Sequence, residues 1–170
     1  MASYEELFSI GEGFAAFVAH GLPDEIAGVH AVQARLATAD AVSAATRQRM
    51  QAVSRRYHLL VAGEMWCPDC QINVTVMDFL QRTQPRIDLA VITKGRAEDD
   101  LRERLALERI PIPVVAVLDE RFELVGRFIE RPQVVVAGGD ALKPDYRAGQ
   151  YLEDTLTDLL DIIEAAEGRA

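Results

Sequence analysis

The sequence predicts an α/β fold in which helices cover both faces of a mixed sheet of about four to five strands, after an all-helical N-terminal segment. Three patterns lead there. From residue 58 to residue 130, short apolar runs of strand length alternate with stretches of helical periodicity. Two of those runs face each other across Asp119-Glu120-Arg121, as in a hairpin. Residues 4–57 carry apolar side chains at spacings of three and four and contain no strand pattern.

The elements follow in order. Leu7 to Val18 is helix-like but loosened by Gly11 and Gly13. Pro23, followed by Asp24 and Glu25, opens a helix carrying Ile26, Val29 and Leu36. Asp40 is placed to cap a third helix with Val42, Thr46, Met50, Val53 and Tyr57 on one face. His58 to Gly63 reads as a buried strand. A turn follows, and then a helix with Ile72, Val76, Phe79 and Leu80 inward and Asn73, Asp78, Gln81 and Arg82 outward. Ile87 to Ile92 is a second strand. Residues 97–108 form a charged surface helix with Leu101 and Leu105 inward. Val114 to Leu118 is a third strand, and Phe122 to Ile129 its hairpin partner. Residues 131–149 read as a loop. The last helix aligns Leu152, Leu156, Leu159, Ile163 and Ala166. The strand–helix–strand start implies a right-handed parallel crossover. This divides the chain into a helical extension, residues 1–57, packed on a core domain, residues 58–170.

Composition narrows the function. The 170 residues are 49% hydrophobic and 26% charged, as in a globular chain able to fold without disulfide staples. With 18 basic against 27 acidic side chains and a net charge of −9, the chain lacks the basic clusters that nonspecific nucleic-acid binding needs. No apolar run approaches the ~18 residues of a membrane span. The N-terminal stretch has no basic residue before its apolar positions and is interrupted by Glu5, Glu6 and Glu12, unlike a secretory leader. A cytoplasmic protein is expected, with neither nucleic acid nor membrane as partner.

The two cysteines, Cys67 and Cys70, are a CxxC pair. In a reducing compartment such a pair points to redox chemistry or metal binding. A structural zinc needs four ligands, and His20, His30 and His58 lack ligand spacing, so no metal is expected. If Pro68 is the first residue of a helix, Cys67 stands where unpaired backbone N–H groups and the helix dipole favour a thiolate. Cys70 lies a turn deeper, as a resolving thiol. Asp69 opposes the thiolate: at ~6 Å its carboxylate costs about 0.7 kcal/mol in a water-like medium and near 3 at an effective dielectric of 20.

Trp66-Cys67-Pro68-Asp69-Cys70 after an apolar strand, with Ile112-Pro113 immediately before Val114-Val115-Ala116-Val117-Leu118, resembles the thioredoxin superfamily. Within it, the helical extension is similar to that of a group of bacterial thioredoxin-like proteins. The resemblance implies a thioredoxin-like three-layer fold and a thiol–disulfide oxidoreductase serving cell redox homeostasis. Cys67 would be the nucleophile and Cys70 the resolving thiol. Trp66, Pro68, Asp69, Ile112 and Pro113 would line the substrate site, with Pro113 cis. The redox-active disulfide would be the only cofactor. The expected partners are a protein or low-molecular-weight disulfide and a thiol reductant.

The chain departs from thioredoxins at four places. Val61 replaces a buried Asp, leaving Glu64 or water to accept the Cys70 proton. The lysine that pairs with that acid has no counterpart in Leu89-Ala90-Val91. Thr75 stands where a proline is usual, and Ile129 or Glu130 falls where a glycine is usual. A partner-binding module with a regulatory or vestigial dithiol is the alternative reading. For residues 1–57 three roles stay open: covering the groove, extending it, or forming a homodimer contact.

Overall fold

The structure is a computed structural model and describes residues 1–169. Four helices come first: α1 (Tyr4–Ile10), α2 (Phe14–Ala19), α3 (Pro23–Leu36) and α4 (Ala44–Gln51). Then follow β1 (Tyr57–Ala62), α5 (Pro68–Thr83), β2 (Ile87–Ile92), α6 (Lys94–Asp100), β3 (Val114–Leu118) and β4 (Leu124–Ile129). The chain ends with α7 (Gln133–Gly138), a 3₁₀ turn (Gly139–Leu142), α8 (Lys143–Arg147) and α9 (Leu152–Ala166). No helix among the described residues is long and apolar enough to cross a membrane.

The sheet has four strands in the order β2-β1-β3-β4. β1 and β2 are parallel, while β1–β3 and β3–β4 are antiparallel. The mixed α/β architecture is therefore the one the alternation predicts. Register assigns the faces. His58 pairs with Leu118, and Leu60, Ala116 and Arg127 are aligned across β1, β3 and β4, so all five share one face. His58 packs against Phe8 of α1, and Arg127 donates to the Leu105 carbonyl. On the opposite face Gly126 lies against Ile162 of α9, and α5 packs beside α9.

α5 is enclosed by more than the sheet. α3 packs along its outer side; Asn73 is fully buried against Tyr146 of α8 and Thr155 of α9, and Asp78 is nearly buried. That corrects the outward placement of these two residues. Helical periodicity separates one face from the other, but it does not reveal that neighbouring helices also cover polar positions. Asp78 is satisfied by Arg82 Nε at 2.9 Å and Gln81 Nε2 at 2.9 Å.

Other boundaries also differ from the sequence reading. Ser43, not Asp40, caps α4, its Oγ accepting from the Thr46 N–H at 3.2 Å. α4 ends at Gln51, and Tyr57 opens β1. The loosened helix breaks into α1 and α2. Between them Glu12 exchanges backbone hydrogen bonds of 2.9 and 2.8 Å with Val91, covering the outer edge of β2. Gly11 permits this approach, since a Cβ there would lie 2.8 Å from Ala90 Cβ. The helix expected over 97–108 is shorter and earlier, capped by Thr93, although Leu101 and Leu105 are buried as expected. Residues 131–149 are largely helical, not a loop. α9 buries Leu152, Leu156, Leu159 and Ile163 as its periodicity predicts.

Candidate functional site

β1 ends at Ala62, and the next five residues bring the chain to the first turn of α5. Gly63 passes directly against the second cysteine: a Cβ there would lie 3.4 Å from Cys70 Sγ. Glu64 accepts the Lys94 N–H at 2.7 Å, fastening the turn to the start of α6. Gln71 Nε2 donates to the Met65 carbonyl at 2.8 Å and closes it from the other side. Trp66 is left exposed. Cys67 is the N-cap of α5, in extended backbone, and Pro68 is the first helical residue. Proline fits there because the N–H it lacks would have no intrahelical partner.

Both cysteines are thiols. Cys70 is fully buried. Cys67 is 6% exposed, which corrects the expectation of an open sulfur. Its thiol donates to the Ile112 carbonyl at 3.5 Å, so the turn before β3 covers much of it. The Cys67 thiol is pulled down to about 7. The largest cause is a hydrogen bond from the Cys70 thiol; burial opposes it, and the backbone N–H groups of Cys70 and Asp69 assist. Those two amides are the unpaired donors of the first helical turn. Helix-start acidification therefore operates, but second to the neighbouring thiol. Cys70 is pushed up, first by burial and then by Cys67 beside it. One sulfur is thus poised as a thiolate at neutral pH and the other is held protonated.

Facing them, the Ile112–Pro113 peptide bond is cis. Ile112 is nearly buried, with its carbonyl on the Cys67 thiol. The Pro113 carbonyl accepts the Glu130 N–H at 2.7 Å. Glu130 has φ +66°, at one of the two positions where the resemblance places a glycine. Left-handed backbone is thus kept there without the residue that adopts it most easily. Val61 is fully buried in β1. Thr75 is buried in α5, its hydroxyl donating to the Gln71 carbonyl at 2.6 Å.

Asp69 departs from its expected place on a substrate surface. Its side chain is turned into a buried polar network. Arg131 Nε and Nη2 reach its two oxygens at 3.2 and 3.3 Å. The Tyr146 hydroxyl donates to Oδ1 at 2.8 Å. The two hydrogens of Asn73 Nδ2 are shared among three acceptors: the Tyr146 hydroxyl at 2.9 Å, the Asp69 carbonyl at 2.9 Å and the Glu130 carbonyl at 3.2 Å. Thr155 of α9 donates to Asn73 Oδ1 at 2.7 Å. Sequence reasoning missed Asn73, Arg131, Tyr146 and Thr155. The one available signal was an Asn at i+4 from Asp69, and its other partners lie 57 to 82 residues away.

The histidines are dispersed. His20 pairs with Glu12 at 2.7 Å. His58 pairs with Asp88 at 2.6 Å and stacks on Phe122. Among the described residues no three His, Cys, Asp or Glu side chains gather as a metal-holding group.

Comparison with known proteins agrees with this geometry. The family model described as Thioredoxin matches residues 22–143, beginning within the helices that precede β1. A 1.5 Å crystal structure of a protein of unknown function from Pseudomonas aeruginosa is similar, at 60% identity, over 98% of this chain and 99% of its own, with a TM-score of 0.95. An HIV epitope-scaffold is 58% identical over 96% of this chain and 99% of its own, with a TM-score of 0.93. No curated protein matches. A cysteine pair at the start of a helix, a cis-proline against the first sulfur and a family match over most of the chain lead to one conclusion: this chain belongs to the thioredoxin family.

Proposed function

We propose that the protein is a thiol–disulfide oxidoreductase that reduces disulfides through Cys67 and Cys70. The observation that carries this reading is the placement of Cys67 Sγ. It sits at the first turn of α5, acidified to about 7, and 3.5 Å from the carbonyl that precedes the cis-proline.

The chemistry balances on the two sulfurs. The Cys67 thiolate attacks one sulfur of a substrate disulfide. That S–S bond breaks, and the leaving sulfur takes up a proton as the first product thiol. Cys67 is then neutral in a mixed disulfide, so the thiolate that disfavoured ionisation of Cys70 is gone. Cys70 gives up its proton and attacks Cys67 Sγ, releasing the second product thiol. The pair has lost two electrons and the substrate disulfide has gained them. A low-molecular-weight or protein thiol in a reducing cytoplasm returns the Cys67–Cys70 disulfide to the dithiol, and the pair is the whole redox group. Val61 offers no proton acceptor beside Cys70, and Glu64 presents a backbone amide to it. Solvent therefore takes the Cys70 proton in this reading.

Cys70→Ser tests the sequence of events. Treated with an aromatic disulfide, the variant is expected to accumulate one equivalent of mixed disulfide on Cys67, seen as a mass increase that dithiothreitol reverses. The wild-type chain is expected to resolve the same adduct and release both thiols. Absence of an adduct in Cys70→Ser, with Cys67 present as a free thiol, would remove Cys67 as the attacking group and favour the partner-binding alternative.

A further inference from the structure

Asp69 is two residues from Cys67, and its negative charge opposes ionisation of that thiol. Its carboxylate is nevertheless anchored at both oxygens. Arg131 takes them in a two-point pairing at 3.2 and 3.3 Å, and the Tyr146 hydroxyl adds a bond of 2.8 Å. Arg147 stands 4.0 Å from Oδ1, and Arg131 also reaches Glu130 at 3.4 Å. The charged and titratable groups around Asp69 are therefore Cys67 and Cys70 on α5, Glu130 and Arg131 after β4, and Tyr146 and Arg147 on α8. Arg131 follows Glu130, the residue whose N–H binds the Pro113 carbonyl. One short loop thus supports the cis-proline and supplies the cation for Asp69. Asp69 is nearly buried, so salt screens this pairing little.

We propose that Arg131 and Tyr146 are positioning residues for Cys67: by holding the Asp69 carboxylate they keep its charge compensated and away from the attacking sulfur. Neither needs to touch substrate. Without its anchors the carboxylate is free to turn toward the start of α5, where the same unpaired amides that favour the thiolate attract it. The inference rests on Cys67 as the attacking thiol, but its readout is ionisation and needs no turnover.

The experiment is a pH titration of thiolate absorbance on the reduced full-length chain. It compares wild type, Arg131→Gln and Tyr146→Phe, each with and without Asp69→Asn. Arg131→Gln is expected to raise the Cys67 midpoint by about one pH unit, a tenfold loss of thiolate below the midpoint. Tyr146→Phe changes no charge and is expected to raise it by roughly a third as much, because one anchor remains. Both rises are expected to vanish in the Asp69→Asn background. A general loosening of the site, or direct action of the Arg131 charge, would instead shift the midpoint equally in both backgrounds. Equal shifts, or no shift in either single variant, overturn the proposal. If Arg131→Gln does not fold, the Tyr146→Phe and Asp69→Asn pair decides it in the same way. Reduction activity lost in the wild type, with the titration pattern intact, would count against the proposed function and not against this inference.

Discussion

Cys67→Ser is expected to bring disulfide reduction down to the uncatalysed background while leaving the fold in place. The thiolate is the nucleophile in disulfide exchange. The Cys67 thiol is lowered to about 7, which favours that form, whereas a serine hydroxyl supplies essentially no anion and forms no disulfide. Cys70 cannot substitute. It is fully buried and held protonated, so it meets neither the access nor the ionisation that attack requires. Structurally the exchange is mild, since Cys67 contributes one long hydrogen bond to the Ile112 carbonyl. Steady-state reduction of insulin by dithiothreitol, followed by turbidity alongside circular dichroism, checks both halves. Retained activity in a folded Cys67→Ser variant contradicts the account.

Asn73→Ala is expected to give the largest loss of stability among single substitutions near the site, about 2–4 kcal/mol. The Asn73 amide is fully buried and joins four partners from four parts of the chain: Asp69, Glu130, Tyr146 and Thr155. Alanine leaves the Glu130 carbonyl without that donor and the Thr155 hydroxyl without that acceptor. Each such buried group costs about 1–3 kcal/mol. The better helix propensity of alanine returns only about 0.6 kcal/mol. Urea unfolding measures the difference; a change below about 0.5 kcal/mol would mean that water or rearrangement replaces the network. Because the same amide supports Tyr146 and Glu130, the loss should also lower the cooperativity between α5, α8 and α9.

What the sequence revealed follows from the range of the interactions involved. β1, β2 and β3 are short apolar runs fixed by local pattern, and their limits fall within a residue of the reading. The start of α5 was legible because proline after an N-cap residue is a local signal, and α9 because its apolar stripe is complete. Pro113 stood out by abutting a strand. The errors have the opposite character. Asn73 looks like a solvent-facing residue until Tyr146 and Thr155, 73 and 82 residues later in the chain, close over it. Asp69 looked like part of the substrate surface because Arg131 and Tyr146 are invisible at that distance in sequence. Residues 131–149 carry Gly138, Gly139 and Pro144, which read as a loop. They instead separate short helices, with Gly139 at φ +62° ending α7 and Pro144 in the first turn of α8. The covering of Cys67 was hidden for the same reason, since the Ile112 carbonyl that meets it lies 45 residues away.

In the proposed function Cys67 is an acidified thiol held ready to attack. The rate of alkylation of Cys67 by iodoacetamide in the reduced chain, followed by peptide mass against pH, tests it most directly. The rate is expected to rise with pH through a midpoint near 7 and to level off by about pH 8, as thiolate replaces thiol, with Cys70 unmodified throughout. A midpoint at or above about 8.5, the value of an unperturbed thiol, or modification of Cys70 ahead of Cys67, would contradict it.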